Sequence, residues 1–160
     1  MLVSVMQKIV LDFSIPNQEI EITEDTQLLG LFVGHNEDEV KSQLSIIHRK
    51  PNLTSRVNIK AVVFDKANFD LEAKLIIDDG ASNSDTYLKV DALIMDDGAR
   101  ARAVPSLEIK EDNVKGGHGA TVGQVNREQV HYMMSRRFSK TDAEKLIVEA
   151  FIQDIQSQLQ

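Results

Sequence analysis

Four histidines, 25 carboxylates and no cysteine set the chemistry open to this chain of 160 residues. Without a thiol there is no disulfide, no Cys-zinc site, no thiolate nucleophile and no cluster held by the chain's own thiolates. His35, His48, His118 and His131 share no metal-ligand spacing; neither an HExxH nor an i, i+4 pair occurs. His118 stands apart because it sits in GGHGATVG (116–123), read as a glycine-rich turn between the last strand and the first helix. Glycine removes steric cover and allows close backbone approach. An imidazole there can ligate a metal such as iron or relay a proton near neutral pH. The competing account is that it holds the turn through hydrogen bonds. The same segment lacks both the Rossmann pattern and the Lys-Ser/Thr of a phosphate-binding loop. Glu108, between Leu107 and Ile109 on a predicted strand, points away from the core and is a second, weaker metal ligand to set beside His118. Its simpler role is a solvated carboxylate or one paired with a neighbouring coil. The Asp/Asn-rich corners (Asp78-Asp79-Gly80, Asn83 to Asp85, Asp96-Asp97-Gly98) lack the spacing and terminal Glu of an EF-hand and read as solvent-facing turns.

These residues must be positioned by two textures. Residues 1–124 read as strands and turns, and residues 125–160 as helix. Ile20 and Ile22 alternate with Glu19 and Glu21, and Leu29, Leu31 and Val33 continue the period of two. AVVF (61–64), KLII (74–77) and ALIM (92–95) are short β-rich runs, each followed by an acidic turn. EDEVKSQL (37–44), with Asn36 as N-cap, reads as a helical interruption. LIIDDGAS (75–82) and LIMDDGAR (93–100) match at six of eight positions, eighteen residues apart, and VVFDKAN (62–68) is a weaker copy thirteen residues upstream. Such self-similarity predicts a solenoid whose coils stack near-copies, with an antiparallel sandwich as the alternative. At Gly80 and Gly98 a positive φ is expected to turn the corner.

Beyond residue 124 the period becomes 3.6. Asn126 to Gln129 reads as a capping box opening a helix through Met134, and Thr141 to Glu144 as a second box opening a helix to about Gln158. Leu146, Ile147, Ala150, Phe151 and Ile155 fall on one face of that helix. The two helices are expected to pack as a hairpin covering an exposed coil of the solenoid.

The net charge of −7 argues against a polyanionic partner, whether nucleic acid or an anionic membrane. Leu28 to Gly34, the longest strongly apolar run, is far short of the roughly 20 residues of a membrane span. The start, MLVSVMQKIVLDF, has neither a basic region before its apolar residues nor a small-residue cleavage site after them, so it reads as mature protein, with the cytoplasm as the default compartment.

Residues 105–155 resemble the C-terminal signature of the SufB/SufD family of iron–sulfur cluster assembly proteins. The matching positions are Pro105, Leu107-Glu108-Ile109, Asp112-Asn113-Val114, His118-Gly119-Ala120-Thr121-Val122-Gly123, Tyr132, Arg136, Ala143 and Ala150-Phe151. Upstream, His48, Pro51 and Ser55 resemble the family's His-x-x-Pro-x-x-x-Ser entry into the solenoid. The resemblance spans roughly residues 46–156. It departs from the pattern at Arg137, where the family prefers Gly, at His131 in place of an aromatic, and at Lys115-Gly116-Gly117 before His118. The chain is also much shorter than a typical member.

The resemblance implies a mainly β fold: a right-handed parallel β-helix over residues 1–124 with a C-terminal helical hairpin over 125–160, together one structural unit. It implies a non-catalytic subunit of an iron–sulfur cluster scaffold, acting with a SufB-like partner and a SufC-like ATPase. The absence of cysteine places the chain on the SufD-like side. A cluster would be held transiently with a partner chain and not by this chain alone. His118 matches the family's histidine near the SufB–SufD interface. Tyr132, Arg136, Arg137 and Phe151 are the candidate docking face for the ATPase; alternatively Tyr132 and Phe151 staple the two helices together. A second class of function is a β-helix structural protein that self-associates, as a homodimer through the β-helix, without assembling clusters. A carbohydrate-active enzyme ranks last, because no carboxylate pair or aromatic sugar platform is evident.

Overall fold

A computed structural model describes residues 6–160; the beginning of the N-terminal apolar stretch, residues 1–5, lies outside them. Nine strands lead into two helices. The strands are β1 (Gln7–Val10), β2 (Asn17–Ile22), β3 (Thr26–Gly34), β4 (Glu39–His48), β5 (Thr54–Val63), β6 (Asn68–Ile77), β7 (Asp85–Ile94), β8 (Arg100–Ile109) and β9 (Lys115–Gln124). The helices are α1 (Arg127–Ser135) and α2 (Lys140–Leu159).

Odd and even strands separate into two sheets, β1-β3-β5-β7-β9 and β2-β4-β6-β8, and every pairing is parallel. Each coil therefore contributes one strand to each sheet, giving a β-solenoid of about four turns and excluding the antiparallel sandwich. The interior is built by alternation. In β5, Ser55, Val57, Ile59, Ala61 and Val63 are buried inward, and their register partners Thr86, Leu88, Val90 and Ala92 in β7 repeat the pattern. Bulk is balanced across the interior: Phe69 packs edge-on against Phe13 at 5.6 Å and stacks on Phe32 at 5.7 Å. Ala61, Ala73 and Ala92 leave the room for those rings.

The coil length corrects the repeat read from the sequence. Corner contacts between stacked coils join residues 29 to 32 apart, not eighteen. LIIDDGAS and LIMDDGAR end strands β6 and β7, which lie in different sheets, so the two best-matched segments are opposite corners of one turn. The weaker copy is the true neighbour: Val62 and Val63 pair with Leu93 and Ile94, and the Asp65 N–H donates to Asp96 Oδ2 at 2.8 Å. A side-chain carboxylate thus accepts from the backbone of the coil below, and the same device joins Asn36 N–H to Asp65 Oδ2 at 2.8 Å. Acidic residues recur at corners because the turn leaves N–H groups to satisfy.

Three local expectations change. Residues 37–44 are mostly strand, with Val40, Ser42 and Leu44 pointing inward, and Asn36 occupies a left-handed turn (φ 54°) in place of an N-cap. Gly80 takes the positive φ (86°), but Gly98 does not; there a Cβ would lie 2.6 Å from the Asp65 carbonyl, so close approach of coils requires glycine. Leu29 points away from the solenoid interior yet is fully buried, because a helix covers it.

That helix is α2, which packs across β3 and β5 on the outer face of the odd-strand sheet and not over an open coil end. Its cap is Ser139, whose Oγ accepts from the Asp142 N–H at 3.0 Å, two residues before the expected Thr141. The buried face is Ala143, Ile152 and Ile155, flanked by Ile147, Val148, Phe151 and Leu159, whereas Leu146 and Ala150 are exposed. Asn126 caps α1 as expected, its side chain accepting from the Gln129 N–H at 3.2 Å. Val130 of α1 joins the same apolar cluster with Val62, Met95 and Val125, so both helices are anchored on the sheet. Among the described residues no helix is long and apolar enough to cross a membrane.

Candidate functional site

The His118 segment is the last strand and not a turn. Residues 115–124 form β9, the terminal strand of the five-stranded sheet, paired on one side only to β7. Register places His118 beside Leu88, which is fully buried, so His118 occupies the inward-facing column of the solenoid. It is nevertheless exposed, because no coil covers it. Ala120 and Val122 continue the column, and Val122 is also exposed. Across from it, Ile109 at the end of β8 is exposed as well. This end of the solenoid presents two unpaired strand edges, one imidazole and a few apolar side chains.

The glycines have specific neighbours. A Cβ on Gly117 would lie 3.0 Å from the Tyr87 ring, and one on Gly119 would lie 3.1 Å from its hydroxyl. Tyr87 thus lies along the outer surface of β9, over the two glycines. A Cβ on Gly116 would come within 3.1 Å of Ile109 Cδ1, where the two sheets approach at the open end. The run fits packing across coils, a partner relationship thirty residues away that sequence reading alone does not supply.

Glu108 lies on the other sheet, in β8, facing outward. Lys74 Nζ stands 3.5 Å from one carboxylate oxygen and Lys110 Nζ 3.2 Å from the other. Lys110 and then Lys74 hold its carboxyl below the usual range. The carboxylate belongs to a surface ladder in which Lys110 also reaches Asp78 at 2.9 Å and Arg49 joins Asp78 to Glu21. Glu108 and His118 are thus on different sheets, and among the described residues no group of three or more His, Cys, Asp or Glu could hold a metal ion.

His48 is wholly buried at the end of β4, its Nε2 2.8 Å from Ser55 Oγ, which lies 2.6 Å from Thr86 Oγ1. The His-x-x-Pro-x-x-x-Ser pattern is therefore a corner closed by a hydrogen bond from its first residue to its last. Burial pushes the His48 pKa down to about 4, so the ring is neutral at pH 7.

The four helical candidates divide. Tyr132 is exposed, and Arg136 lies over its ring, with Nη2 donating to the hydroxyl at 3.2 Å. Arg137 has φ 74°, the left-handed residue closing α1, which explains why glycine suits this position. Phe151 is part of the apolar cluster against the sheet, so Tyr132 and Phe151 do not staple the helices. Met134 and Phe138, which the sequence did not single out, are exposed on the helical pair, as is Leu146, which the sequence placed on the packed face of the second helix.

Comparison with known proteins bears on this architecture. Residues 16–151 match the family model described as SUF system FeS cluster assembly, SufBD core domain. The chain is 32% identical over 114 residues to an iron-sulfur cluster assembly SufBD family protein of Mycobacterium bovis, covering 71% of this chain and 14% of the relative. A second such protein, of Mycobacterium tuberculosis, is 32% identical over 139 residues, covering 82% and 35%. One from Mycobacterium leprae is 31% identical over 143 residues, covering 84% and 36%. The chain thus spans between about a seventh and about a third of the length of these relatives. A parallel β-solenoid followed by a helical pair, matched over most of its length by that model, belongs to the SufB/SufD family of the iron–sulfur cluster assembly system.

Proposed function

We propose that this chain is a non-catalytic, SufD-like scaffold subunit, completed by a cysteine-bearing SufB-like chain and driven by a SufC-like ATPase. The observation that carries the reading is the open last coil. His118 stands in an interior column with nothing above it, on a strand whose outer backbone groups are unpaired, which suits extension by a second chain. One exposed imidazole at this last coil and no thiol in the chain form an incomplete donor set for an iron–sulfur cluster, the cargo of such a scaffold. The partner would supply thiolate ligands, with His118 as this chain's contribution; Glu108, engaged by two lysines, is the poorer ligand. Tyr132, Arg136 and Arg137, with exposed Met134, Phe138 and Leu146, form the surface offered to the ATPase. Phe151 supports that surface from beneath. The cytoplasm suits this assignment.

Co-expression with the two partner classes tests it. A ternary complex that stimulates ATP turnover and forms cluster in reconstitution is the expected result, with cluster yield falling several-fold for His118→Ala at unchanged complex formation. Failure to recruit either partner would overturn the assignment in favour of a self-associating β-helix. Unchanged yield in His118→Ala would remove the histidine from the site.

A further inference from the structure

α2 is seated on the sheet in two different ways along its length. Its first half is held by carbon: Ala143, Ile147 and Val148 pack in one cluster with Val62, Met95, Val125 and Val130. Its second half adds charge to carbon: Phe151, Ile152, Ile155 and Leu159 belong to the same cluster, and an ion pair lies beside them. Lys60, in the middle of β5, has a side chain only 9% exposed. Its Nζ donates to Asp154 Oδ1 at 2.6 Å and to the Phe151 carbonyl at 2.5 Å, and stands 4.8 Å from the centre of the Phe151 ring. The next register position in β7 is Asp91, ion-paired with Lys89 at 3.0 Å. At the C-terminal end Gln27 donates to Gln158 at 2.6 Å, and Lys8 donates to the Gln158 carbonyl. The seat is also imperfect. Asn58 pairs in register with Leu29 on this outer face, and its buried side-chain oxygen has no hydrogen-bond partner.

The Asp154 side chain is half exposed, so the pair is buried on the Lys60 side only, and the desolvation of that ammonium offsets much of the attraction while the geometry stays specified. An unsatisfied buried carbonyl regains its hydrogen bonds when water enters. Lifting this half of α2 would rehydrate Lys60 and Asn58, against the exposure of Ile155, part of Leu159 and the Leu29 side chain beneath the helix. We propose that residues 153–159 are a reversible strap, latched to β5 by Lys60 and Asp154, which lifts and reseats while α1 and the first half of α2 stay packed. The strap is a property of this chain alone and does not rest on the cluster-assembly reading.

Amide hydrogen exchange on the full chain tests it. The strap predicts one cooperative opening of residues 153–159, at least 100-fold more frequent than opening of β5 and independent of mild denaturant. Simple fraying would instead give rates graded inward from Gln160 and indifferent to Lys60. Asp154→Asn, which strands the ammonium, is expected to raise exchange across the segment by tenfold or more. The double substitution Lys60→Met with Asp154→Leu is expected to slow it at least threefold below the wild-type rate, because apolar contact replaces the desolvated ammonium under the helix. Opening only with global unfolding, graded fraying, an unchanged Asp154→Asn variant, or a double variant faster than wild type would each overturn the proposal. If Asp154→Asn fails to fold, the double variant still decides.

Discussion

The middle coils and the last coil use the same register for opposite ends. Leu88 in β7 and His118 in β9 are partners in one inward column, yet the first is fully buried and the second exposed. The two histidines differ in the same way. His48 is sealed inside a corner and hydrogen-bonded to Ser55, while His118 stands exposed in the inward column of an uncovered last coil. In a solenoid each turn's burial is supplied by its neighbours, so interior position alone does not define a core residue. The middle coils are covered on both sides; the last is covered on one.

Core truncation is the strongest way to break this contrast. Phe69 is fully buried against Phe13 and Phe32. Phe69→Ala should cost about 3–5 kcal/mol, read from the urea unfolding midpoint, since the aromatic cluster cannot collapse around the void. A loss below about 1 kcal/mol would show that the middle coils are not tightly packed.

Acid sharpens the comparison between the histidines. Burial lowers the His48 pKa to about 4, whereas the unfolded ring titrates near its ordinary value of 6.5. Below pH 6.5 the unfolded chain takes up a proton that the folded chain refuses. This contribution is therefore complete above 6.5 and is lost as pH falls towards 4, to a total of about 3 kcal/mol. Unfolding midpoints measured from pH 7 to 4 should fall more steeply in wild type than in His48→Gln. Parallel curves would mean that His48 is hydrated in the folded state.

The family, the solenoid and the helical pair were legible in the sequence because they rest on ordered motifs and on changes of period. The coil length was not. DDG follows both β6 and β7, so opposite corners of one turn resembled each other more than stacked corners did, and Asp65 over Asp96 was hidden behind VVFDKAN. Residues 37–44 resembled a helix because Ser42 stands at an inward position, where it donates to the Ile15 carbonyl at 3.2 Å and masks the alternation of Val40, Leu44 and Ile46. The α2 face was rotated because the helix lies against Val62 of β5 and Met95 just beyond β7, which no local pattern announces. For the site, His118 was found by residue type, but its setting on an open strand edge follows from where the coils stop.

The smallest expected effect is the most discriminating. In the isolated chain, His118→Ala removes an exposed imidazole from the last coil, where no resolved hydrogen bond or ion pair engages it. It should change unfolding free energy by less than about 0.5 kcal/mol, the usual range for surface substitutions. A structural role for His118, as a residue fixing the strand edge, predicts instead a loss of a kilocalorie or more, about the value of a hydrogen bond or cap. Stability retained alongside a fall in cluster yield would separate the two ends of the column. Burial would account for Leu88, and chemistry shared with a second chain would account for His118.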